Sequence, residues 1–312
     1  MTGPRGKQMD LDELKLILKL ARFRFLIPGL LIYTLGALLA VVNGAILDPI
    51  KFLFGYAIFG TAHLSVSFSN DYFDREADRT AKQTPFSGGS GVLVQHPELS
   101  RFAVRFAIFL IIISISIAIL FSLVYSYGPF FLALVVLGSL LGWFYTAPPF
   151  KLAYRGLGEV STILATGLIM PAMGYYVMGG VIDARIVALS FPLMCYALFF
   201  ILTVELPDVE VDRSGGKANL MTYKGRKAGI RLSVIATLAA TVIFTIFALL
   251  GALRPLEMWL FVLLSAIPLI AALYGLTMRS EEPRLIVRQV KLNFSALLLI
   301  LTIAVGYLAI LT

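Results

Sequence analysis

Charge is scarce in this chain. Of its 312 residues only 14% are Asp, Glu, Lys or Arg, against about a quarter in an average soluble domain. That scarcity excludes a water-soluble enzyme and an intrinsically disordered chain. Cysteine is scarcer still: Cys195 stands alone and has no internal partner, which excludes a disulfide scaffold. The only histidines are His63 and His96, so there is no Cys/His cluster to hold zinc or iron. No P-loop is present either. The glycine-rich run Ser87-Gly88-Gly89-Ser90-Gly91 lacks the strand-to-helix context that such a loop needs.

What fills the chain instead is apolar. Hydrophobic residues make up 59% and the mean hydropathy is +0.90. A helix needs about 20 mostly apolar residues to cross about 30 Å of hydrocarbon. Such stretches run near 25–46, 50–69, 103–125, 128–146, 160–180, 186–205, 230–251, 255–277 and 292–312. The expected fold is therefore all-α: a polytopic membrane protein of nine transmembrane helices in a single domain, 1–312. Residues 1–21 carry Asp10, Asp12 and Glu13 and lack an apolar core, so a cleavable signal peptide is not expected. Their alternation of apolar and charged positions at helical spacing predicts a short interfacial helix.

The basic residues set a direction. Taken with the nearest connection, 6 lie before the first span, and 5, 2, 6 and 4 lie after spans two, four, six and eight. Only 1, 0, 1 and 1 lie after spans one, three, five and seven, a split of 23 against 3. By the positive-inside rule the N-terminus and the even-numbered loops face the cytoplasm of an integral cell-membrane protein. The net charge of +8 is thus a topology signal. A nucleic-acid partner, which would want a basic face with stacking aromatics on a soluble module, is excluded.

Two of those cytoplasmic loops are rich in carboxylates. The first reads Asn70-Asp71-Tyr72-Phe73-Asp74-Arg75-Glu76-Ala77-Asp78 and the second Glu205-Leu206-Pro207-Asp208-Val209-Glu210-Val211-Asp212. If the second span continues as helix, Asp71, Asp74 and Asp78 stand at i, i+3 and i+7 and share roughly a 60° arc. Asp208 and Asp212, at i and i+4, also share a face. Glu205 lies one turn below them, although Pro207 disturbs that turn. Each loop follows the second helix of a four-helix group, the pattern of an internal duplication. Two four-helix groups plus one helix would then surround a central cavity, with the two carboxylate stripes facing each other across it. Like charges so spaced need a counter-cation. Magnesium suits an all-oxygen set of carboxylates that shares a diphosphate.

At these residues the sequence resembles the UbiA family of intramembrane prenyltransferases. Asn70, Asp71, Asp74 and Asp78 match that family's N-D-x-x-D-x-x-x-D motif without gaps. Asp208 and Asp212 match its D-x-x-x-D, continued by Arg213, Gly216, Lys217 and Leu220. The stretch Tyr145-Thr146-Ala147-Pro148-Pro149-Phe150-Lys151-Leu152 is similar to its loop after the fourth span. The Gly-Ser-Gly run at 89–91 looks like the menaquinone branch, in which naphthoate-type acceptors are prenylated. In place of the asparagine common before the second acidic motif, this chain has Val204-Glu205.

The resemblance implies Mg²⁺-dependent transfer of an isoprenyl group from an isoprenyl diphosphate donor to a lipophilic, aromatic quinone-precursor acceptor in the bilayer. Asp71, Asp74, Asp78, Asp208 and Asp212 would carry the metal and the catalysis, with Asn70 as a further metal ligand. Lys82, Lys151, Arg155, Arg213, Lys217 and Arg22 are candidates for the diphosphate, and Tyr145 for the substrate. His63 lies seven residues before Asn70, inside the second span; an intramembrane histidine is a functional flag, and a satisfied packing role is an equal reading. Two other functions stay open. One is an archaeal-lipid-type enzyme acting on geranylgeranylglyceryl phosphate. The other is a transporter, disfavoured because the acids gather at one face instead of at mid-membrane.

Overall fold

A computed structural model describes residues 11–80, 89–278 and 282–312, and these are all helix, turn and connection with no strand among them. Lys82 lies outside the described residues. The elements that matter here are α1 (Leu11–Ala21), α2 (Leu26–Val42), α3 (Pro49–Asp74), α4 (Ser100–Tyr125) and α5 (Pro129–Trp143). They continue with α6 (Gly158–Gly179), α7 (Ala184–Glu205) and α8 (Val209–Ser214). Last come α9 (Leu220–Lys224), α10 (Arg226–Leu250), α11 (Met258–Leu276) and α12 (Pro283–Leu311). Among the described residues eight helical stretches are long and apolar enough to cross a membrane, the first of them Leu11–Val42, and α5 is a shorter apolar one. The nine stretches correspond to the nine expected from hydropathy. At 15 residues α5 spans about 22 Å, and turns extend it toward Phe150.

Local chemistry marks the ends of these helices. Asp48 accepts from Ile50 N and Lys51 N ahead of Pro49, and Asp183 does the same for Arg185 N and Ile186 N. Gly180 and Gly251, both left-handed, stop α6 and α10. At the N-terminus, α1 is amphipathic and separate from α2. Left-handed Arg22 and the 3₁₀ turn Phe23–Phe25 break the helix between them.

Consecutive spans pack on one another in chain order and α12 packs back on α2, which closes a ring. Across its middle, α2 and α6 lie in backbone contact. A Cβ on Gly36 would sit 1.9 Å from the Pro171 carbonyl oxygen, and one on Gly174 would sit 1.9 Å from that of Tyr33. Only glycine permits this approach at both positions. The main core surrounds that crossing, with Tyr33, Leu39, Phe121, Phe131, Phe199 and Phe244 fully buried. Within α6 the segment Ile163–Ile169 is π-helical, and its Ala165, Thr166 and Ile169 face a central cavity.

Candidate active site

The two acidic segments do meet, the first by a route that differs from the expected continuous helix. α3 stops at Asp74, and Asp78 returns to the site from a 3₁₀ turn, Ala77–Thr80. α7 stops at Glu205, and Pro207 lies in the turn that leads to Asp208. Asp208 and Asp212 keep their i, i+4 relation through the short α8, with Asp212 N donating to Asp208 O at 2.7 Å. One cavity of about 140 Å³ is lined by Asp71, Asp74, Asp78, Glu205, Asp208 and Asp212, together with Arg22, Asn70, Gly89, Tyr145, Lys217 and Asn219. Asp71, Asp74, Glu205 and Asp212 are only 3–7% exposed.

Each carboxylate has its own arrangement. Lys217 Nζ bridges the two segments, 3.0 Å from Asp74 Oδ2 and 3.3 Å from Asp212 Oδ1. Tyr154 donates its hydroxyl to Asp74 Oδ1 at 2.8 Å, and Asn219 donates to Asp212 Oδ2 at 3.0 Å. Asp71 accepts from the backbone N–H of Ser90 and lies 3.8 Å from Arg22 Nη1. Gly89, at φ +63°, passes so close that a Cβ there would lie 2.2 Å from Asp78 Oδ2. Gly89 and Ser90 therefore close over the acids. Among the described residues, Glu205 Oε2 is buried with no hydrogen-bond partner.

The electrostatics follow from crowding. Burial, relieved in part by Lys217 and aggravated by Asp74, Asp71 and Asp208, pushes the Asp78 carboxyl up to about 7. Burial also raises Asp212, against the pull of Lys217 and Asn219. For Lys217 burial acts downward, yet Asp74 and Asp212 outweigh it and hold the ammonium charged.

The predicted basic residues divide into two groups. Arg22 and Lys217 line the cavity, and among the described residues Arg22 Nε is buried without a hydrogen-bond partner. Arg22 also lies over the Phe25 ring, 4.7 Å from its centroid. Lys151, Arg155 and Arg213 are exposed and do not line it. Arg155 donates to Pro149 O and Arg213 to Thr222 O, while Lys151 extends over the Tyr154 ring. The two guanidinium groups thus bond backbone carbonyls. Tyr145 is at the boundary between the acid cavity and a second cavity of about 290 Å³, mostly apolar. Asn70 is there too, its Oδ1 accepting from Thr146 at 2.9 Å. Sequence reasoning missed Tyr154, Asn219 and Gly89, whose roles depend on contacts between distant segments.

Among the described residues no three His, Cys, Asp or Glu side chains stand ready to hold a metal as they are; Lys217 sits between the two acidic segments instead. The donor set nevertheless fits a hard divalent cation. Six carboxyls share a small cavity with two cations, Glu205 keeps an orphaned oxygen, and no soft ligand is present.

A charged, oxygen-rich cavity thus adjoins an apolar one inside a ring of membrane-length helices. The chain belongs to the UbiA prenyltransferase family, which matches residues 30–298. It is similar to the 1,4-dihydroxy-2-naphthoate octaprenyltransferase of Bacillus subtilis (strain 168), with 24% identity over 208 residues. That match takes in 66% of this chain and 64% of the relative, so the chain spans just under two thirds of the relative's length. A UbiA homologue of Archaeoglobus fulgidus bound to GPP and Mg²⁺ has a similar fold, with TM-score 0.62 and 16% identity over 92% of this chain and 99% of that one. A digeranylgeranylglyceryl phosphate synthase structure gives TM-score 0.63 and 18% identity over 95% and 99%.

Proposed function

We propose that the protein is a Mg²⁺-dependent intramembrane prenyltransferase that moves an isoprenyl group from an isoprenyl diphosphate to an aromatic quinone-precursor acceptor. The acid cavity would face the cytoplasm, as the distribution of basic residues indicates. One observation carries this reading: the acid cavity and the apolar cavity share Arg22, Phe25, Asn70, Tyr145, Ile201 and Val204 as a common rim. A diphosphate headgroup and its hydrocarbon tail need two such chambers, joined at the carbon where the bond breaks.

Asp71, Asp74, Asp78, Asp208 and Asp212, with Asn70, would hold the metal. Bound Mg²⁺ supplies Lewis-acid stabilisation of the leaving diphosphate. Arg22 and Lys217 bind the diphosphate oxygens, and the Tyr145 phenol stands at the rim. Arg155 and Arg213 bond backbone carbonyls, Lys151 lies over the Tyr154 ring, and none of the three is assigned to the donor. As the allylic C–O bond ionises, the electron pair leaves with the diphosphate. The allylic cation forms within apolar walls that keep water from quenching it. An electron-rich carbon of the acceptor then forms the new C–C bond, and the ring gives up the group displaced from that carbon.

The relative's 1,4-dihydroxy-2-naphthoate supports a naphthoate-type acceptor, in line with the Gly-Ser-Gly run. The test uses purified protein, Mg²⁺ and labelled geranylgeranyl diphosphate with one acceptor per tube: 1,4-dihydroxy-2-naphthoate, 4-hydroxybenzoate or geranylgeranylglyceryl phosphate. A prenylated naphthoate, lost in Asp71→Asn and Asp208→Asn, is the expected result. Product only with the glyceryl phosphate would replace the aromatic reading by the lipid one. No product in any tube, with no thermal protection by diphosphate, would overturn prenyl transfer altogether.

A further inference from the structure

Among the described residues His63, Tyr196 and Ser122 each keep a buried polar side-chain atom in the membrane interior without a hydrogen-bond partner, and of these His63 alone lines two cavities. It lines the central cavity and also a smaller lateral one of about 80 Å³ between α2, α7 and α12. The two chambers share Phe25, His63, Thr166, Met170 and Phe200 as a partition. Thr166 spends its hydroxyl on Thr162 O at 2.8 Å. Among the described residues no hydrogen bond to His63 is present, and its Nδ1 is buried without a partner. Leaving a buried polar group unmade is costly, so a packing role would be filled better by Phe or Leu. The ring already packs as an aromatic would, 5.5 Å from Phe59.

The backbone makes room for this ring. A Cβ on Gly29 would lie 2.7 Å from Nδ1 and 2.8 Å from Cε1, so α2 carries no side chain where the imidazole presses against it. Nδ1 is sealed on that side, which leaves Nε2 as the nitrogen available to an occupant. A neutral imidazole has one N–H and one lone pair. An orphaned buried N–H is rarer than an orphaned acceptor, so the proton belongs on Nε2, as a donor. An isoprenyl tail offers nothing to such a donor. An aromatic acceptor with ring oxygens does.

The placement suits the chemistry. His63 lies two turns along α3 from Asn70, about 10 Å away, and Asn70 is on the rim where the donor's reactive carbon would lie. An acceptor whose oxygen is held at the partition has its ring between His63 and that rim.

We propose that His63 is the positioning residue for the acceptor. Its Nε2–H donates to an oxygen substituent of an aromatic ring lodged where the two apolar chambers meet, and the tail keeps the rest of the central cavity. This inference rests on the prenyl-transfer reading and deepens it.

The test compares wild type, His63→Phe, which keeps a ring without nitrogen, and His63→Gln, which keeps a donor. With 1,4-dihydroxy-2-naphthoate as acceptor, His63→Phe raises the acceptor KM by about tenfold or more. The donor KM, and thermal protection by Mg²⁺ with geranylgeranyl diphosphate, stay as in wild type. His63→Gln recovers most of the acceptor affinity. If phenylalanine does not fold beside Gly29, His63→Leu makes the same comparison. An unchanged acceptor KM, or equal changes for donor and acceptor, overturns the assignment while leaving prenyl transfer intact. Failure of the wild type itself to bind diphosphate or form product would instead sink the reading beneath it.

Discussion

Replacing Lys217 by methionine tests whether this lysine stands in for a cation between the two acidic segments. The ammonium lies 3.0 Å from Asp74 and 3.3 Å from Asp212, with side-chain exposures of 18% and 9% for the lysine and each aspartate. Removing one partner of a buried pair leaves the other charge uncompensated, at a cost of about 3–5 kcal/mol. The lysine retains some solvent, so the lower end applies, about 3 kcal/mol. For a chain of 312 residues that lowers the metal-free melting temperature by about 5 °C. Mg²⁺ with a diphosphate would compensate the same carboxylates. The stabilisation it confers should therefore be larger in Lys217→Met than in wild type, even as loss of a headgroup contact slows turnover. The deficit should narrow as pH falls, because protonation relieves the unpaired acids, starting with Asp212, which burial already pushes upward. Differential scanning fluorimetry in detergent, with and without Mg²⁺ and diphosphate, reads all three effects. Equal melting of the two metal-free proteins, or an equal gain from Mg²⁺ in both, would refute the placeholder role.

Three further outcomes follow from the same geometry. Asp78, pushed up to about 7 by burial, is protonated below that pH in the metal-free protein. Mg²⁺ binding at pH 6 should therefore release a proton, with affinity weakening as pH drops below 7, and Asp78→Asn should abolish the release; calorimetry in buffers of different ionisation heat measures it. The sign for stability is the opposite of a salt-bridged aspartate, since a raised carboxyl favours the metal-free fold at pH 6 over pH 8. Gly89→Ala places a methyl against Asp78 and forces a left-handed φ, costing about 1–2 kcal/mol; loss of Mg²⁺-dependent activity with the fold intact by circular dichroism is expected. Gly36→Ala drives a methyl into the Pro171 carbonyl and should cost about 3 kcal/mol or more, seen as a lowered melting temperature or loss of monodisperse protein on size exclusion.

Much of this was legible in the sequence because membrane helices and metal-type acids announce themselves locally. Length and hydropathy define the spans, and the spacing within 70–78 and 208–212 brings those carboxylates to one place even where the helix itself ends. The expected unbroken helix through Asp78 is replaced by a turn, and that turn swings Asp78 back under Gly89. The basic residues were less legible. A long cationic side chain bonds whatever acceptor its loop offers, and for Arg155 and Arg213 that acceptor is a backbone carbonyl. Lys151 is turned outward by its own left-handed backbone, φ 44°. Tyr154 and Asn219 were invisible because each serves an aspartate through the tertiary fold: Tyr154 reaches Asp74 from 80 positions along, and Asn219 reaches Asp212 across a loop.

The π-helical segment of α6 acts as a register adjuster. Gly174, beyond it, is pinned against the Tyr33 carbonyl. Glu159, before it, is pinned by the Leu220 N–H at 2.6 Å, which ties the helix to the second acidic loop. A regular helix of fixed length cannot in general meet two fixed angular targets, and one extra residue in a wide turn supplies the missing rotation. Deleting a single residue between 163 and 169 would restore a plain α-helix and turn one end by about 100° relative to the other. Either the helix crossing or the loop anchor would then be lost. Length changes that a surface loop absorbs are thus forbidden in this stretch, and the distance between the structural spine and the chemical head is set there to the residue.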